Sequence, residues 1–194
     1  MEGIQSICVY CSSSNHIDQV YQDAAIDFGK ELAQANFRLI YGGSNVGLMG
    51  LVADAALYHG GQVVGFTTKH LESVEGTHER LTELHVVDTM HTRKLMMSTM
   101  ADAFVILPGG FGTLDELFEI LTWRQLGMHN KPIIVGNING YWDPLKALIN
   151  HVIQQKFARE NDINLITFAT SISEIASLLK HCAKSPIDVV SQYV

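Results

Sequence analysis

Basic residues are scarce in this chain. Thirteen Lys and Arg face twenty Asp and Glu, a formal charge of −7 over 194 residues. Phosphate backbones and anionic lipid surfaces are held by basic patches, so the balance argues against nucleic acid or a membrane surface as partner. An anionic ligand would need locally placed donors. Long apolar runs are missing too: none approaches the ~18 residues of a membrane span, and Met1-Glu2-Gly3 lacks the basic start of a secretory leader. A cytoplasmic location is the expectation. There are three cysteines. Cys8 and Cys11 form a CxxC, but Cys8 sits in an apolar, strand-like run, and residues three apart on a strand point to opposite faces. The two thiols are badly placed to bridge, and Cys182 alone cannot complete a four-cysteine zinc site. Nine histidines are scattered without HExxH or comparable spacing. No metal and no cofactor are expected.

Linkers, low-complexity tracts and repeats are also absent, so residues 1–194 read as a single domain. Short apolar runs at residues 4–10, 37–41, 63–66, 84–87, 103–107, 132–135 and 165–168 alternate with helical patterns. The helical patterns run through Ala24, Phe28, Leu32 and Ala35, then Leu51, Val52, Ala55 and Ala56, then residues 90–100, the stretch from Thr113, and residues 142–153 and 172–179. Residues 67–83 are polar and lack clear periodicity, the mark of a functional or mobile loop. This alternation predicts an α/β, Rossmann-like domain: an open, mostly parallel sheet of about six or seven strands with helices on both faces. Loops after the strands then meet at one edge, where ligands bind.

The likeliest site stretch is PGGFGTLDE at residues 108–116, which follows the buried run of residues 103–107 and precedes a helix. Glycines let backbone approach a ligand, and the first N–H groups of a helix are free to take a phosphate. Asp115 and Glu116 in that first turn repel phosphate, so one of them should face a part of the ligand that becomes cationic. That points to glycosidic bond cleavage. A second glycine turn, residues 42–47, also opens a helix; it is neither GxGxxG nor GxxxxGK[ST], so it reads either as a second ligand loop or as close helix packing. On the predicted layout Ser13, Gly43, Ser44, Gly109, Gly110, Phe111, Gly112, Thr113, Leu114 and Asp115 converge on one edge with the start of the 67–83 loop. Arg93 and Lys94 are placed to supply positive charge.

Taken together, YGGSNVGLMG (residues 41–50), MHTRK (90–94), PGGFGTLDE and TWRQLGMHNKP (122–132) resemble the Lonely Guy family, the cytokinin riboside 5′-monophosphate phosphoribohydrolases. The resemblance spans roughly residues 4–179 and implies a Rossmann-like fold, a homodimer and a purine nucleoside 5′-monophosphate substrate. It further implies that Gly110, Phe111, Gly112 and Thr113 hold the 5′-phosphate, that Arg93 and Glu116 are catalytic, and that Glu75, Lys94 and Thr122 line the nucleotide site. Two positions depart from the family pattern: Ser44 stands where a third glycine is usual, and Gly65-Phe66-Thr67-Thr68 replaces a proline after the third strand.

The expected reaction is hydrolysis of the N-glycosidic bond to free base and ribose 5-phosphate, with Glu116 acting on an oxocarbenium-like state. Arg93 anchors phosphate or polarises the leaving group; both remain open. Two other functions compete: nucleotide binding without turnover, and transfer of ribose phosphate to an acceptor other than water. The Met-rich helix at residues 90–100, with Leu95, Met96, Met97 and Met100 on several faces, is the expected dimer contact.

Overall fold

In the computed structural model, which describes residues 4–182, the apolar runs become seven strands. Met1-Glu2-Gly3, read above for a leader, lies outside the described residues. The strands are β1 (Ser6–Tyr10), β2 (Arg38–Tyr41), β3 (Val63–Thr68), β4 (Glu83–Val87), β5 (Ala103–Ile106), β6 (Ile133–Gly136) and β7 (Thr167–Ala169). They lie in the order β4-β3-β2-β1-β5-β6-β7, and every neighbouring pair is parallel.

The runs are continuous rather than alternating because both faces are covered. On one face α1 (Gln19–Gln34), α2 (Gly47–Tyr58) and α7 (Ile172–His181) pack Phe28, Leu32, Val52 and Ile175 against Ile7, Val9, Leu39 and Val105. On the other, α4 (Met90–Met100), α5 (Phe111–Gln125) and α6 (Asp143–Gln154) pack Met97, Leu117, Ile120 and Leu145 against Tyr10, Ile40, Phe66 and Phe104. Cys11 joins the first cluster and Cys8 the second, so the pleat does separate the CxxC thiols. Both are free, and burial pushes each thiol well above its usual range.

Strand order reverses between β1 and β5. The chain leaving β1 turns to one face and the chain leaving β5 to the other, which opens a crevice beyond their C-terminal ends. Ser12 N donates to the Pro108 carbonyl at 3.1 Å and ties the two diverging loops together at that point.

Three local readings change. Residues 67–83 are not one loop: they hold the end of β3, a helix α3 (Lys69–Glu75) and the start of β4. Thr68, at one of the two departures from the family pattern, caps α3 by accepting from Leu71 N at 3.3 Å. The helix buries none of its residues, so it carries no apolar stripe to be read. Helix α5 starts at Phe111, two residues before Thr113. Its first turn escaped the pattern because Phe111 is 90% exposed and packs on nothing periodic. Finally, the Met-rich helix α4 turns Met97 into the core with Met96 and Met100 packed against it, and Arg93, Lys94 and Ser98 share that buried face, while Met90 is exposed.

Candidate active site

The C-terminal ends of β1 and β5, with the first turns of α4 and α5 and the side of α3, enclose a cavity of about 360 Å³. That is within the ordinary range for a small-molecule site. Its walls are residues 12–14 of the β1 loop, Leu71 and Glu75 of α3, Arg93 and Lys94 of α4, and Gly110, Phe111, Gly112, Thr113, Asp115 and Glu116 of α5.

The floor of the cradle is backbone. Three other helices are capped by a hydroxyl side chain, from Thr68, Thr89 and Ser171, whereas the N-cap of α5 is Gly110 with no side-chain hydrogen bond. The first amides of α5 therefore keep their donors for an anion. Neither Gly110 nor Gly112 is required by the protein itself: a Cβ built on either meets no atom within 4 Å. The empty space lies where a ligand would stand. Gly109 differs, since a Cβ there would strike the Thr113 side chain. Tyr141 Oη donates to the Gly109 carbonyl at 2.7 Å and braces the loop from the β6 side.

The second glycine turn is held by contacts that cap and pack α2. Gly47 N donates to Asn15 Oδ1 at 2.8 Å and Met49 N to the Ser12 carbonyl at 3.3 Å, so the β1 loop already caps α2. Gly47, at φ +60°, lies so close to the backbone of residues 12–14 that any Cβ would clash. Gly42 serves the site indirectly, because a Cβ on it would meet Arg93 Nη2.

Charged side chains form the far wall. Arg93, 5% exposed, donates from Nε to the Phe66 carbonyl at 2.7 Å and from Nη2 to the Gly42 carbonyl at 3.2 Å, and its Nη1 faces Glu116 Oε1 at 3.5 Å. The guanidinium is thus fixed at the ends of β2 and β3, aimed at Glu116. Burial raises the Glu116 carboxyl to about 7; Arg93 opposes that rise, Asp115 adds to it, and Lys94 again opposes it. The group is therefore poised near neutrality, as acid–base or electrostatic work requires. Lys94, buried beside it, is gripped by Asp115 Oδ2 at 2.9 Å and Glu119 Oε1 at 3.1 Å. Burial disfavours its charge, but the two carboxylates outweigh that and hold the ammonium above its usual value.

Of the residues expected at the site, Ser13, Glu75, Arg93, Lys94, Gly110, Phe111, Gly112, Thr113, Asp115 and Glu116 are brought together. Five are not among those that line the cavity. Gly43 (φ +79°) turns its carbonyl to His78 N, and Ser44 is buried with its hydroxyl accepting from Val46 N at 3.4 Å. Gly109 and Leu114 face a neighbouring apolar groove. Thr122 is exposed, roughly 9 Å along α5 from Glu116 by helical rise, too far to share its turn. Cys11, Met49, Leu71 and Met90 also line the cavity and were not foreseen. For Cys11 the signal was available, since it directly follows a buried strand; for Leu71 it was not, since α3 has no pattern.

Residues 49–179 match the family described as possible lysine decarboxylase. A probable cytokinin riboside 5′-monophosphate phosphoribohydrolase of Oryza sativa subsp. japonica is 41% identical over 186 residues, covering 96% of this chain and 76% of its own length. Another, from Arabidopsis thaliana, is 44% identical over 171 residues, covering 88% and 85%. Among solved structures, the molybdenum cofactor carrier protein of Chlamydomonas reinhardtii superposes with a TM-score of 0.72 over 91% of this chain and 96% of that one. At 18% identity that likeness speaks for the fold alone.

Proposed function

Given that the chain belongs to the Lonely Guy family of cytokinin riboside 5′-monophosphate phosphoribohydrolases, we propose that it hydrolyses the N-glycosidic bond of a purine nucleoside 5′-monophosphate, releasing free base and ribose 5-phosphate. The observation that carries this reading is a bare helix N-terminus and a half-buried, near-neutral carboxyl in one cavity, three to six residues apart on α5.

The phosphate takes the free amides at the start of α5, from Gly110 to Thr113. The ribose then lies along the first turn of α5 and brings C1′ toward Glu116. The C1′–N bond breaks with its electron pair leaving on the base, positive charge spreads over C1′ and the ring oxygen, and water adds to C1′. One water proton goes to solvent or an acceptor, and the base takes up one proton. Glu116 as a carboxylate stabilises the cationic state, from a sheltered position where a fixed charge counts for more than in open water. Arg93 has given two donors to backbone carbonyls, and its remaining direction is toward Glu116. That favours a role in orienting and charging Glu116 over one in holding phosphate.

The description of the matched family as possible lysine decarboxylase finds no support at this site. An imine-forming lysine needs a depressed pKa, whereas Lys94 is held above its usual value by two acids. Lys131, also buried, donates to the Ser98 and Thr99 carbonyls at 2.8 and 3.4 Å.

The test is chromatography of free base after incubation with AMP, an N6-substituted AMP and adenosine. AMP or its N6-substituted analogue is cleaved and adenosine is not, because remote phosphate binding orients the reacting carbon. Equal turnover of adenosine and AMP counts against the reading, and nucleotide binding without any free base would make the protein a binder instead. A homodimer is part of the proposal. Met90 is exposed on α4, and Phe111 and Phe118, exposed on α5, line an apolar groove of about 570 Å³ with Leu114, Leu145 and Leu148. Sedimentation at micromolar concentration should return twice the chain mass; a monomer rejects it.

A further inference from the structure

Lys94 borders the cavity, yet what holds it lies partly outside. Asp115 belongs to the cavity wall and is 63% exposed; Glu119, one turn further along α5, does not line the cavity and is 23% exposed. An exposed carboxylate is a weak anchor, because solvent screens it and its own side chain moves. A more sheltered one, at a spacing of four residues on the same helix face, completes a two-point grip. A lysine ammonium has three N–H donors. Two are taken by these acids, which leaves one for an oxygen in the cavity. Without a second anchor the four-carbon stem of a lysine has many rotamers to lose before it can meet a ligand.

We propose that Glu119 is a positioning residue for substrate binding: it fixes the Lys94 ammonium at the cavity wall, so that the remaining donor meets a phosphate or ribose oxygen of the ligand. This rests on reading the cavity as a ribose-phosphate site. Glu119 touches no ligand itself. Its effect passes through Lys94 alone, and it belongs to ground-state binding rather than to the chemical step.

The experiment measures ribose 5-phosphate binding by titration calorimetry, and AMP hydrolysis in parallel, for the wild type, Glu119→Gln, Glu119→Ala, Lys94→Met and the double variant Lys94→Met/Glu119→Ala. Glu119→Ala should weaken ribose 5-phosphate about tenfold and raise KM for AMP by a similar factor, with kcat within about twofold. Glu119→Gln keeps an acceptor without the charge and should fall between Glu119→Ala and wild type. In the double variant the loss should equal that of Lys94→Met, since removing Glu119 then has nothing left to act through. Melting curves check the fold, and Glu119→Gln, the isosteric change, carries the conclusion if Glu119→Ala is unstable. Wild-type affinity in both Glu119 variants overturns the proposal. So does a further tenfold loss in the double variant, or a fall in kcat at unchanged KM. A wild type that neither binds ribose 5-phosphate nor cleaves AMP removes the reading of the cavity itself, a different result from a functioning wild type with indifferent Glu119 variants.

Discussion

At Glu116 the surroundings determine the chemistry more than the side chain does. A glutamate on an open helix face is fully ionised at neutral pH, but burial here lifts the group to about 7 against the pull of Arg93. If the ionised form is the working one, kcat/KM for AMP should fall as pH drops below about 7, with a limb belonging to this group. Glu116→Gln should lower kcat by about a hundredfold, the scale of one lost electrostatic stabiliser, with KM little changed, and should erase the limb. Asp115→Asn is the control, since it removes the same charge from the same turn, but at an exposed position bonded to Lys94. An equal loss in both variants would mean that the field of the turn matters and not the position of Glu116. The fixed guanidinium leads to a matching expectation for Arg93→Ala. It should cut kcat more than it raises KM, and a pure KM effect would return Arg93 to the phosphate.

The two glycine turns look alike as strings and differ as elements. At the start of α2 the β1 loop supplies the cap, and at the start of α5 nothing does. Gly112 lies inside α5 with open space around its missing Cβ. Gly112→Ala should therefore leave the free protein as stable as before, or more stable by up to about 1 kcal/mol from helix propensity and unfolded-state entropy. The same methyl should intrude on a bound phosphate and raise KM for AMP. Paired denaturation and kinetic measurements separate the two effects: a variant that loses stability, or binds as wild type, would show that the glycine serves the fold and not a ligand.

For the molecule as a whole, the raised Glu116 pKa has a price in stability. Unfolded, the group titrates near 4.5, the ordinary value for glutamate; folded, at about 7. Between those values the folded state holds a proton that the unfolded state has lost, so stability falls as pH rises through the window and stays lower above it. The contribution is at most about 3 kcal/mol. Urea unfolding at pH 5 and pH 8 should show this fall in the wild type and less of it in Glu116→Gln. An identical pH dependence in both would contradict the burial argument.

The architecture was legible in the chain because it depends on patterns of many residues. Apolar runs too continuous for a one-sided sheet called for a parallel sheet covered on both faces. PGGFGTLDE after a buried strand marked the uncapped start of α5 that lines the cavity, and the CxxC spacing already implied thiols on opposite faces. Three things were decided only by tertiary structure. Helix α3 has no buried face, so no apolar stripe marked it, and Thr68 caps it beside the cavity. Whether residues 42–47 hold a ligand or a helix depended on Asn15 and Ser12, partners from a different loop. The direction of Arg93 and the grip on Lys94 came from β2, β3 and a second turn of α5, contacts between segments that no local window contains. Sequence periodicity records which face of an element is buried; it does not record what a buried charge finds there, because that partner is chosen by the packing of distant strands and helices.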